Sequence, residues 1–200
     1  MNEGKLYLKT LSAQEANRDI LFMMLPLLVM ACYLYGPRPA VLCAVAAVTA
    51  TVCDYLVAWL RDTQRDRTEN SSMPAALLMT MLMPATIDYY IIVAATAIIV
   101  LVGKAAFGGW GAYPFNPAAL GYCAAAAGWP EKVFRYPVPY TTIGVWDTSA
   151  AVMTDSAGHS LRAGGMPNVR MLSLILGNYA GAMGATSAIV LVAVAMYLWM

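Results

Sequence analysis

Charge and histidine are scarce in this chain. Charged residues make up 12% of it, and the one histidine, His159, falls in a polar loop where such a residue is ordinarily just solvated. The net charge of +1 gives no reason to expect nucleic acid as a partner. The four cysteines, Cys32, Cys43, Cys53 and Cys123, all lie in apolar runs, and none forms a C-x-x-C pair. Free cysteine there packs as a small hydrophobe, so neither a metal nor an iron–sulfur centre is expected. Residues 1–19 are polar, carry both signs of charge and lack the pattern of a cleaved signal peptide. The chain from Ile20 onward therefore reads as a retained span.

What the chain has in quantity is apolar side chains, 60% of its residues. Its charges cluster in the amino-terminal tail, in residues 61–69 and in residues 131–170. That is the pattern of membrane spans separated by short wet loops. A span needs about 20 mostly apolar residues, fewer when neighbours shield it. Segment 20–36 is the first candidate, with a kink expected at Pro26, and segment 39–60, closed by Trp59, is the second. Asn70, Ser71 and Ser72 offer caps for a third, 73–85, with Pro74 in its first turn. This third span is short, as a broken or interior helix would be. Segments 89–102 and 116–129 follow. Residues 171–200 are apolar but interrupted by glycines, which fits either one long span or a half-helix followed by a full one. The expected architecture is an all-α polytopic transmembrane helical bundle with broken or half helices and five to seven membrane segments. It divides into a tail (1–19), a first bundle (20–129), an outer loop (130–170) and a glycine-interrupted segment (171–200).

Lysine and arginine in short loops set orientation. The tail holds Lys5, Lys9 and Arg18, and the second loop holds Arg61, Arg65 and Arg67, against Arg38 alone in the first turn. The asymmetry places the amino terminus in the cytoplasm and residues 130–170 outside, although Lys132, Arg135, Arg162 and Arg170 then lie on the outer face. The chain stops at Met200 inside an apolar run, so a further carboxy-terminal part is expected.

The most irregular stretch is 103–122, where Gly103, Lys104, Gly108, Gly109, Gly111 and Asn116-Pro117-Ala118 sit between apolar segments. Lipid-exposed backbone cannot tolerate such a stretch, so it must be buried in protein or line a cavity. Asn116 is placed to cap a helix whose first residue is Pro117, and the helix start would present free N–H groups to the glycines. One reading is an anion or cofactor seat; the other is a plain re-entrant turn. Lys104 either belongs to that seat or snorkels to the surface. Asp54, six residues before the end of the second span, either reaches the rim or pairs inside the bundle.

The run 103–122 resembles the "GK..FGG.G...FNPA..GY" signature of RnfD, a membrane component of the Rnf electron-transport complex. NqrB, of the sodium-pumping NADH:quinone reductase, is related to it. Residues 70–84 are similar to that family's "DGSA..TGLLLAL.LPP", with Asn70 near the place of an acidic residue. Residues 177–187 resemble "GN..GSIGETS", with Ala185 in place of the glutamate. Three blocks in the right order cover most of the chain. Gly181 and Gly184, at helical spacing, would let a helix or a flat ring approach the backbone closely.

The resemblance implies FMN, carried through a phosphoester bond on a threonine of an outer-face motif like "D.(S/T)(G/S)ATPL..LK.G". Aligning Leu161-Arg162-Ala163-Gly164 with its end puts Ser156 at the acceptor position, with Thr154 two residues away. Aligning Thr148-Ser149-Ala150 instead puts Ala151 there, but keeps the distance to Gly177 less well. Neither frame supplies the Ala-Thr pair or the proline after it. A second flavin, riboflavin, or an ion path is the expectation for the glycine-rich segment.

The implied function is that of a membrane component in a flavin-containing, ion-translocating oxidoreductase. It would couple electron transfer between ferredoxin and NAD to sodium or proton movement, with other integral and peripheral subunits as partners. NqrB of the quinone reductase is one rival, disfavoured by the short polar tail. A scaffold relative that has lost its flavin is another. An aquaporin-like channel needs two Asn-Pro-Ala turns, and this chain has one.

Overall fold

The computed structural model describes residues 3–60, 72–107, 114–141, 143–148, 151–162, 164–165 and 170–199. Helix α1 (Glu3–Tyr35) takes in the polar tail from Glu3 onward and runs through Pro26 without ending there. It stops where Gly36 adopts φ 83° and donates its N–H to the carbonyl of Cys32, and Pro37 then bars continuation. Helix α2 (Arg38–Leu60) returns. The segment Asn17–Tyr35 and α2 are each long and apolar enough to cross a membrane. Leu42, Ala46, Ala50 and Asp54 form a buried stripe on α2 at four-residue spacing. The small side chains in that stripe bring α3 (Ser72–Met81) and α4 (Tyr89–Ile98) close against it.

The third span is broken, as its shortness suggests, but its helix ends before residue 85. It is helical only to Met81, because Pro84 has no N–H to give and restricts Met83 before it. Residues 82–88 cross the remaining distance without regular structure. Helix α4 continues into a π-helix (π1, Ile99–Ala105), and together they run for about 25 Å at 1.5 Å per residue. Helix α5 (Pro117–Gly128) begins as the sequence indicates, with the Asn116 side chain accepting from the Ala118 N–H at 3.0 Å and proline in the first position.

Between α5 and the last apolar segment the chain forms α6 (Pro130–Val133), a two-stranded antiparallel hairpin of β1 (Arg135–Pro137) and β2 (Met153–Asp155), and α7 (Ala157–Arg162). The hairpin is a local exception to an otherwise helical fold. Residues 171–199 form two short helices, neither the one long span nor the half-helix followed by a full one. Helix α8 (Met171–Leu176) ends at Gly177, φ 87°, and α9 (Ala188–Trp199) begins eleven residues later. The 177–187 stretch between them is irregular, so the helical spacing of Gly181 and Gly184 is not realised.

Chain direction gives the bundle two ends. Tyr35, Arg38, Tyr89 and α6 share one end with the hairpin, and Leu60, Ser72, Lys104 and Asn116 share the other. At the hairpin end, the N–H of Tyr140 donates to Leu34 and that of Ile143 to Tyr35, seating the loop on the α1–α2 turn. Lys132 there pairs with Asp88 and also donates to the Tyr90 hydroxyl.

Candidate functional site

Among the described residues, three places besides the Lys132–Asp88 pair gather polar side chains. The first is a groove of about 480 Å³ beside the hairpin, lined by Phe134, Tyr136, Ser156, Gly158, His159 and Arg162. Antiparallel pairing sets Tyr136 opposite Thr154, which leaves Thr154 exposed and carries the chain on to Ser156. Ser156 opens α7: its Oγ accepts from the His159 N–H at 3.3 Å and its carbonyl from the same N–H at 2.9 Å. Partial burial and this capping contact hold the hydroxyl at the groove wall. Burial, together with the nearby Tyr122 and a hydrogen bond to it, pushes the Tyr136 hydroxyl up to about 12, so it remains protonated at neutral pH.

The second place is Arg38, 2% exposed. Its Nε donates to the carbonyl of Ala85 at 2.9 Å and one terminal nitrogen to that of Ile87 at 3.0 Å. The other terminal nitrogen donates to the carbonyls of Gly144 and Val145 at 3.2 and 2.6 Å. The guanidinium also lies 5.0 Å from the centre of the Tyr89 ring. One side chain thus ties the unwound 82–88 connector to the loop that leads into β2. In the sequence Arg38 counts only as a loop charge. The overlooked signal is a cation on the first residue of a helix, where the dipole disfavours it unless carbonyls compensate.

The third place is a buried cluster at the other end. Lys104 Nζ lies 3.1 Å from Asp54 Oδ1 and 3.0 Å from Ser72 Oγ, while Ser72 Oγ donates to the same Asp54 oxygen at 2.8 Å. All three residues are buried, so Lys104 does not snorkel and Asp54 pairs inside the bundle. In the sequence Ser72 reads as a helix cap, yet its hydroxyl is given to the carboxylate. Asp54 sits on α2, Ser72 on the first residue of α3 and Lys104 in π1. A π-helix widens the turn and offsets the side chains beyond it relative to an α-helix.

Of the other expected site residues that are described, Asn116 alone lies at one of these places. Asn116 caps α5 at the Lys104 end, where a Cβ added to Gly103 would meet Pro117 Cβ at 3.2 Å. Gly108, Gly109 and Gly111, like Asn70 and Ser71, lie outside the described residues. Gly181 and Gly184 belong to the irregular stretch that crosses the broken end of α3. The Gly184 N–H donates to Met81 and the Met183 N–H to Met83, while the Tyr35 hydroxyl donates to Gly181. A Cβ on Gly184 would stand 2.8 Å from Met81 Cβ, so the close approach expected of this glycine is real. It serves two unwound segments that satisfy each other's backbone, as a membrane interior requires. Ser156 and Lys104 are at opposite ends of the bundle and cannot serve one ligand together.

Comparison with known proteins bears on the family of the chain. The D component of the ion-translocating oxidoreductase complex from Pseudomonas aeruginosa (strain LESB58) is 31% identical over 133 residues, covering 66% of this chain and 39% of that protein. The component of the same name from Escherichia fergusonii is 31% identical over 107 residues, covering 52% and 30%. That of Shigella dysenteriae is 25% identical over 168 residues, covering 81% and 48%. The chain spans less than half the length of each of these relatives. Residues 6–200, nearly the whole chain, match the model of one family: the chain belongs to the NQR2, RnfD, RnfE family.

Proposed function

We propose that this chain is an integral-membrane component of an Rnf-type ion-translocating oxidoreductase and that it carries FMN in the hairpin groove. The relatives that support this are named as the D component of such a complex. The observation that carries the reading is the groove itself, which sets the Ser156 hydroxyl among a guanidinium, an imidazole and two aromatic rings. That donor set suits a phosphoester-linked flavin. Ser156 would supply the ester oxygen, Arg162 would neutralise the phosphate, and Phe134 and Tyr136 would offer ring faces. When bound, FMN supplies one- and two-electron redox chemistry. The chain's part is to anchor and shield it: Arg38 holds the loop leading into β2, and the hairpin fixes the register that brings Ser156 next to Tyr136.

In this reading the complex passes electrons between ferredoxin and NAD and couples them to sodium or proton movement. The outer face is the hairpin end and the amino terminus is cytoplasmic, in the inner membrane. Partners are the other integral and peripheral subunits. The Asp54–Ser72–Lys104 cluster, a charged group among apolar helices, is the described residues' best candidate for the ion-coupled element. A second, non-covalent flavin such as riboflavin belongs to the glycine-rich segment after Lys104.

The test is intact-mass analysis after co-expression with a flavin-transferring enzyme. The chain should gain the mass of FMN, and Ser156→Ala should abolish the gain. Loss on Thr154→Ala alone would move the acceptor two residues. An unmodified parent chain would overturn the covalent reading in favour of a flavin-less scaffold, which the absent Ala-Thr pair already favours as the second reading.

A further inference from the structure

A second groove, of about 350 Å³, is walled by α1 and α3, with Cys43 of α2 also in its lining. Its walls are helical stripes. On α1 the stripe is Arg18, Leu21, Leu25 and Leu28, at spacings of three, four and three. On α3 it is Met73, Leu77 and Met81, each four residues after the last. From Arg18 to Leu28 the helix rises about 15 Å. That is half of the roughly 30 Å hydrocarbon thickness of a bilayer, one leaflet deep. The deep end lies at Met81, where α3 unwinds, and the shallow end at Arg18, in the first turn of the span Asn17–Tyr35.

Chemistry is as asymmetric as depth. Arg18 is the one charged residue in the lining, and every other lining side chain is apolar or a thiol. Among the described residues Arg18 forms no ion pair. The volume is that of a small-molecule site, roughly 300–1,000 Å³. A cation at the headgroup level above a dry slot one leaflet deep matches a single amphiphile with an anionic head. Three methionines in the lining, Met24, Met73 and Met81, supply unbranched walls that adapt to a flexible chain.

We propose that this groove binds an anionic phospholipid, one acyl chain along the α1–α3 slot and the phosphate on Arg18. The inference rests on the bundle lying in a bilayer and is independent of the flavin. The chain, reconstituted into nanodiscs of mixed phosphatidylglycerol and phosphatidylethanolamine, is released and weighed by native mass spectrometry. One phosphatidylglycerol should remain per chain. Arg18→Gln should lower its retention roughly five-fold, the value of one basic residue at a membrane surface. Leu25→Trp, which adds bulk at an exposed position in the slot, should abolish retention, with Leu21→Trp as the second variant if the first does not fold. Arg135→Gln, an exposed cation at the opposite end, should change nothing.

Equal retention in Arg18→Gln and Arg135→Gln would overturn the proposal. So would a parent chain that reconstitutes but keeps no phospholipid, or one that keeps phosphatidylethanolamine as readily as phosphatidylglycerol. A chain that fails to enter nanodiscs at all would overturn the membrane reading first, which is a different result.

Discussion

Lys104 Nζ lies 3.1 Å from Asp54 Oδ1, inside the bundle and fifty residues away in sequence. Removing one partner of such a pair leaves the other as an uncompensated buried charge, which costs about 3–5 kcal/mol. Replacing both with neutral side chains of similar size costs far less, because no bare charge remains. Asp54→Asn and Lys104→Met should each lower the melting temperature in detergent sharply, while the double variant recovers most of the loss. Fully additive losses would mean that the two residues stabilise separate contacts.

Arg38 bonds the 82–88 connector and the 143–148 loop together. Arg38→Met removes donors from the buried carbonyls of Ala85 and Ile87, at about 1–3 kcal/mol for each acceptor left without a partner. The carbonyls of Gly144 and Val145 are less buried and can turn to water. The loop should therefore come loose before the bundle unfolds. Limited proteolysis between residues 138 and 148 should accelerate in Arg38→Met at temperatures where helix content is unchanged. Arg38→Lys should rescue only in part, since an ammonium cannot reach both segments as a planar fork does.

Gly121 and Gly128 both lie on α5 and should respond in opposite ways to alanine. A Cβ on Gly121 would stand 2.5 Å from Ile99 Cγ1 and 3.2 Å from the Ala95 carbonyl, whereas one on Gly128 meets nothing within 4 Å. Overpacking of this kind typically costs about 1–3 kcal/mol, more than the roughly 1 kcal/mol that alanine gains over glycine in a helix. Gly121→Ala should destabilise and Gly128→Ala should be neutral or stabilising, measured by thermal unfolding. Ile99→Ala added to Gly121→Ala should return part of the loss by clearing the clash.

Orientation can be read by labelling a cysteine-free background from one side of the membrane. Trp146 is 89% exposed at the hairpin end, and Arg18 is exposed at the other. A membrane-impermeant maleimide applied outside intact cells should modify Trp146→Cys and spare Arg18→Cys. The reverse pattern would put the Ser156 groove in the cytoplasm.

Apolar run length, proline and glycine placement and capping residues act locally, so the sequence by itself determined the helical class, the start of α5 at Asn116-Pro117 and the helix ends next to Gly36 and Trp129. It also carried the family likeness, because the three motif blocks are contiguous. It did not determine how far helix persists into 82–88. It left open whether 171–200 is one helix or two. Those outcomes depend on whether unwound backbone finds partners, and here Met81 and Met83 find Gly184 and Met183. The role of Lys104 was equally undecided, since a lysine near a helix end reaches water or a carboxylate according to what packs beside it. Only the tertiary structure, by laying α2, α3 and π1 together, brings Asp54 and Ser72 to that ammonium. Arg38 makes the same point from the other end of the bundle. Nothing in its neighbours predicts four carbonyl partners, because those acceptors come from two segments 47 and 106 residues away that meet only on folding.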